Sequence, residues 1–97
     1  MKRRLELRPG VVEELAEAMA HHEAERAGLG DRLFDAVEAT FADLVTAPDL
    51  GAPWELDGTV RRQLVRRFPY VVFYRASEDV VIVLAVAHGK RRPGYWR

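Results

Sequence analysis

Two neighbouring stretches, PYVVFYRA (69–76) and VVIVLAVAH (80–88), are separated only by Ser77, Glu78 and Asp79. Short apolar runs rich in β-branched and aromatic residues, joined by a polar link this tight, predict two antiparallel strands. Neither run alternates between apolar and polar. A strand with one face in water does alternate. Both faces of this strand pair therefore need a cover, and the rest of the chain must be asked what it can supply.

RRLELR (3–8) alternates, with Leu5 and Leu7 on one side, and predicts a short half-buried strand ended by Pro9-Gly10. Val12, Leu15, Met19 and His22 then recur at helical spacing among alanines and glutamates. AGLG (27–30) breaks this helix, with Gly28 as a left-handed cap. Asp31 reads as the N-cap of a second helix, whose stripe is Phe34, Val37, Phe41 and Leu44, widened by Leu33 and Val45. The short link predicts an antiparallel helical hairpin. Residues 48–58, with two prolines and two glycines, read as a loop, and TVRRQLVRR (59–67) as a further strand. The expected fold class is α+β: an N-terminal strand and a helical hairpin packed on a small antiparallel sheet of four strands, in the order β-α-α-β-β-β. Two helices cover one face. The other requires the C-terminal tail, a second copy or another chain.

Ninety-seven residues suit a single domain spanning 1–97. The absence of cysteine excludes disulfides and thiolate chemistry. The start, MKRRLELRPG, lacks an apolar leader, and the longest apolar run, Val80 to Ala87, is too short to cross a bilayer. A cytoplasmic protein with no membrane partner is expected. The net charge of zero conceals a division: residues 1–57 hold 6 Lys+Arg against 13 Asp+Glu, and residues 58–97 hold 9 against 2. That asymmetry points to an anionic partner for the basic part, or to two halves that neutralise each other across a packed interface.

The cations of the basic part are Arg61, Arg62, Arg66, Arg67, Arg75, Lys90, Arg91, Arg92 and Arg97. Adjacent pairs on a strand send one arginine to each face. Converging in a meander, these groups would form a concave basic surface for nucleic acid or an acidic protein segment, or else a solvated face paired with the acidic helices. Tyr70 and Tyr74 read as packing residues. Tyr95 and Trp96 either dock on the open sheet face or meet a target. His88, at a strand end, is suited to proton transfer or to a structural role. His21 and His22 lie near Glu17 and Glu25 without a second ligand cluster, so no metal is expected. There is no nucleophile elbow or phosphate loop, and no carboxylate pair in the basic half beyond Glu78-Asp79 in a turn; no cofactor is expected.

RRQLVRRFPYVVFYRA and VVIVLAVAHGKRRPGYW resemble the C-terminal signature of the RelE/ParE superfamily of bacterial toxins from type II toxin–antitoxin modules. AGLGDRLFDAVEA (27–39) resembles the helix–turn–helix segment of the same family. The resemblance implies a helical hairpin on a small antiparallel sheet. It also implies a cognate antitoxin that wraps the toxin into a hetero-oligomer, with an acidic segment suited to the positive half. RelE-like members cut mRNA on the ribosome, whereas ParE-like members poison DNA gyrase and need no catalysis. On the endoribonuclease branch, the resemblance implies proton transfer by His88 and charge stabilisation by Arg66, Arg75 and Arg92, with Tyr95 stacking on a base. Arg62, Arg67, Lys90, Arg91 and Trp96 would bind target or antitoxin. Val71 departs from that branch, which tends to place an arginine there. A nontoxic nucleic-acid-binding or assembly domain on the same fold is the alternative.

Overall fold

The computed structural model describes residues 3–92 and 94–97. Strand β1 (Arg4–Leu7) leads into helices α1 (Val11–Glu25) and α2 (Leu29–Thr46). Strands β2 (Ala52–Trp54), β3 (Asp57–Leu64), β4 (Tyr70–Ala76) and β5 (Val80–His88) follow. The five strands form one sheet in the order β1-β5-β4-β3-β2. The expected order holds, with two additions. β2 lies within the stretch read as a loop. β1 joins β5 in parallel, Leu5 opposite Val81 and Leu7 opposite Val83: the helical hairpin carries the chain from the β1 edge to the β2 edge, and the meander of β2 to β5 brings it back.

The hairpin turns at Gly28, whose φ of +93° suits glycine. Gly28 precedes α2 directly, so Asp31 sits in the first turn and is not the cap. The capping oxygens come from α1: the Glu23 carboxylate accepts from the amides of Gly28 (3.0 Å) and Gly30 (2.9 Å). Those bonds hold the Glu23 carboxyl below its ordinary range.

The helical stripes run one residue off their expected line at the start of each helix. Val11 is buried and Val12 is 61% exposed; Leu33 is buried and Phe34 is 39% exposed. Val37, Phe41, Leu44 and Val45 are buried as expected, and Leu15 and Met19 pack on the margin of the same core. That core joins the helices to Tyr70, Val72, Tyr74, Val81, Val83 and Val86 of the sheet.

A second core lies on the opposite face, made of Trp54, Val60, Val71, Phe73, Leu84, Ala85 and Ala87, with Tyr95 and Trp96 packed against it. The doubly apolar strands thus have two covers, the helical hairpin and the C-terminal tail. Trp54, on the short strand that composition concealed, is the floor of the second core. Its ring lies 5.2 Å from Phe73 and 5.3 Å from Trp96.

Tyr74 ties the loop before β2 to the sheet. Its buried hydroxyl donates to Pro48 O at 2.7 Å and accepts from the Gly51 amide at 2.9 Å. Gly51 has no room for a side chain, since a Cβ there would lie 2.5 Å from that hydroxyl and 2.8 Å from Arg62 O.

Candidate functional site

The β4–β5 register decides where His88 goes. Phe73 pairs with Ala85, but Tyr74 pairs with Val83, leaving Leu84 as an extra residue in β5. This β-bulge inverts the alternation, so Leu84 and Ala85 both face the second core while Val86 returns to the helical side. His88 follows Val86 in phase and pairs with Tyr70. Without the bulge His88 would face the other way. A sequence pattern of continuous apolar residues carries no sign of it.

His88 enters a cleft of about 240 Å³ between α1 and the end of the sheet, lined also by Glu14, Glu17, His21, Tyr70, Arg91 and Tyr95. Its ring meets Tyr70 edge-on at 5.3 Å, and its Nδ1 accepts from the Lys90 amide at 3.0 Å. An acceptor at Nδ1 places the ring proton on Nε2.

Glu14, absent from the sequence-predicted set, organises this cleft. β1 covers β5 only through Val83, so the Val86 amide lies beyond the last paired residue of that edge. The Glu14 carboxylate accepts from that amide at 2.9 Å, and its other oxygen accepts from the Tyr95 hydroxyl. Burial pushes the Glu14 carboxyl above its ordinary range; the Val86 bond and the Arg91 charge pull the other way. The signal in the sequence is slight: one glutamate among several on α1, distinguished only by lying one turn after Pro9-Gly10.

Tyr95 and Trp96 lie on either side of this anchor. Arg91 stacks on the Tyr95 ring, 4.0 Å from its centroid. Trp96 packs on Phe73 and Trp54, and its carbonyl accepts from Arg8 at 3.4 Å. The Trp96 Nε1–H is buried without a hydrogen-bond partner.

The basic residues do not all converge. β3 ends at Leu64, so Arg66 and Arg67 stand in the β3–β4 turn, exposed, and are not strand residues. The Gly89 amide donates to Pro69 O at 2.7 Å, which sets this turn beside the one carrying Lys90, Arg91 and Arg92. Arg75 lies at the far end of the sheet, opposite Ile82, with its guanidinium 3.5 Å from Asp57. Six residue steps along β5 lead from Ile82 to His88, roughly 20 Å of strand. Arg62 projects from β3 beside Phe73 on the second face, and Arg61 is held by Gly51 O at 2.7 Å and Asp49. Of the sequence-predicted residues, then, His88, Arg91 and Tyr95 share the cleft. Arg66, Arg67, Lys90 and Arg92 are outside its lining, exposed on the two adjoining turns. Trp96 is in the second core, and Arg62 and Arg75 are elsewhere.

A model of the family described as "ParE toxin of type II toxin-antitoxin system, parDE" matches residues 5–93, which includes the helical hairpin and all of the sheet but Arg4. The chain belongs to the ParE toxin family. Toxin ParE2 of Mycobacterium tuberculosis (strain CDC 1551 / Oshkosh) is 34% identical over 94 residues, covering 96% of this chain and 88% of that protein. Toxin ParE2 of strain ATCC 25618 / H37Rv matches equally. Among solved structures, a chain from "Chromosomal ParDE TA system from P. aeruginosa" superposes with a TM-score of 0.77 at 16% identity, over 90% of this chain and 96% of that one. At that identity the likeness is one of fold.

Within this ParE-family fold, the cleft has mixed charge. Glu14 and Glu17 stand across from His88 and Arg91. A phosphodiester entering it would meet carboxylates as well as cations, and the Tyr95 hydroxyl is already engaged. Outside it, a larger open groove of about 960 Å³ runs between α2 and the unpaired end of β3, with His22 and Phe68 at its base and Arg66 and Arg67 on its lip. β2 pairs with β3 only as far as Arg62, which leaves the β3 edge open at Leu64.

Proposed function

We propose that this chain is the toxin of a type II toxin–antitoxin module, neutralised by a cognate antitoxin, and that it acts on DNA gyrase without cutting mRNA. Membership of the ParE family supports the first part. The observation that carries the second is the dispersal of the groups RNA cleavage would need. A general acid or base and its phosphate-stabilising cations must all lie within hydrogen-bond reach of one scissile phosphate. Here Arg75 is paired with Asp57 about 20 Å of strand from His88. The Tyr95 hydroxyl is bound to Glu14, and two glutamates line the His88 cleft. Inhibition of a protein target requires only a surface. The unpaired β3 edge and the groove beside it offer room for an antitoxin segment.

On this reading His88 is structural. Induction of the chain in cells without the antitoxin gene should arrest growth, and His88→Ala should arrest it almost as well. Mapping of mRNA 5′ ends should show no new codon-phased cuts. Cuts that appear with the wild type and vanish with His88→Ala would restore the ribonuclease reading.

A further inference from the structure

The charge division of the sequence is not cancelled by packing. Among the described residues, only Arg61–Asp49 and Arg75–Asp57 form ion pairs that join the basic part to the acidic one. Arg66, Arg67, Lys90 and Arg92 are exposed and make no ion pair with a described residue. They stand on two turns locked side by side by the Gly89–Pro69 hydrogen bond, at one end of the sheet.

The first turn is strained. Phe68 N–H points back to Val65 O at 3.5 Å, which makes Arg66 and Arg67 its two central residues, and Arg67 has φ +69°. The third position of such a turn usually takes glycine or asparagine for that reason. Arg67 is the only non-glycine residue with positive φ among those described. A long cation thus stands where glycine would be more stable.

The surroundings narrow the partner. Every exposed residue of 65–69 and 88–92 is Arg, Lys, Gly or Pro. An acidic helix would also need apolar pockets for its other face; the groove beside Arg66 and Arg67 has apolar lining, but Lys90 and Arg92 stand outside it. Single-stranded nucleic acid is gripped by stacking on exposed aromatics. Here Tyr70 is buried, Phe68 packs against the core, and the Tyr95 face is covered by Arg91. A duplex backbone asks only for cations at spaced phosphates.

We propose that these paired turns are a contact site for the phosphate backbone of duplex DNA, read without regard to sequence. The site goes beyond the gyrase reading and stands without it, because it requires only DNA. Purified chain should bind a duplex oligonucleotide at roughly 50 mM salt, with log K falling against log salt at a slope of about −3.6 for four phosphate contacts. R66Q/R67N/K90Q/R92Q should bring that slope close to zero; the asparagine keeps the turn conformation available. R67G alone should raise the melting temperature yet weaken DNA binding and shallow the slope by about one. Circular dichroism of each variant checks that it folds. The proposal is overturned if the wild type binds no duplex, if it binds a single strand more tightly, or if the fourfold variant binds as the wild type does. It is equally overturned if the fourfold variant loses only its capture of a poly-glutamate peptide.

Discussion

At the scale of single residues, two glutamates of α1 do opposite electrostatic work. Burial raises the Glu14 carboxyl, so its contribution to stability is present below its ordinary value of 4.5 and is lost as pH rises through the raised value. The Gly28 and Gly30 amides lower the Glu23 carboxyl. Its contribution is present above 4.5 and is lost as pH falls through the lowered value. Glu14→Gln keeps an acceptor for the Val86 amide and a donor for the Tyr95 oxygen while removing the buried charge. It should therefore match or exceed the wild type in thermal stability at pH 7 and fall behind it in acid. Glu23→Gln should be the less stable variant at pH 7, and its deficit should shrink in acid. Thermal unfolding from about pH 4 to 8 checks both; parallel curves for the two variants would refute the assignment. Neither role was legible in the sequence. Both depend on which backbone amides the fold leaves unpaired, and helical periodicity says nothing of that.

At the scale of elements, the strands and helices followed from periodicity, but their edges did not. The runs 70–75 and 80–87 read as apolar on both faces, and from that alone a second cover was required. Trp54 and the tail supply it. The β5 bulge was invisible, because continuous valines and alanines read the same in either phase. Val12 and Phe34 were misplaced because each helix begins one residue out of phase with its later stripe. β2 was missed because a three-residue strand holding Pro53 looks like a loop. That loop hangs on one hydroxyl. Tyr74→Phe leaves Pro48 O and the Gly51 amide without their partner, at a cost of about 1–3 kcal/mol. Chemical denaturation measures this; a change near zero would mean that the loop is held elsewhere. Removing residues 93–97 should expose Trp54 and Phe73, lower the melting temperature and raise the binding of a hydrophobic dye. A truncated chain with unchanged dye binding would show that the tail is no cover.

At the scale of the whole molecule, the chain is electrically divided. An acidic helical hairpin lies on one face of the sheet, and exposed cations project from one of its ends. Such a division steers partners of opposite sign to different surfaces. Family membership was legible in the arginine, histidine and aromatic pattern of residues 61–97. The arrangement of that pattern was not, because strand register separates Arg75 from His88 and the tail turns Trp96 inward. The proposal that the target is DNA gyrase rests on this arrangement and is open to direct trial. Purified toxin, added to a gyrase supercoiling reaction and in parallel to a cell-free translation reaction, should inhibit supercoiling while the mRNA stays intact, with His88→Ala nearly as potent as the wild type. Unimpaired supercoiling together with codon-phased mRNA cleavage would contradict the account.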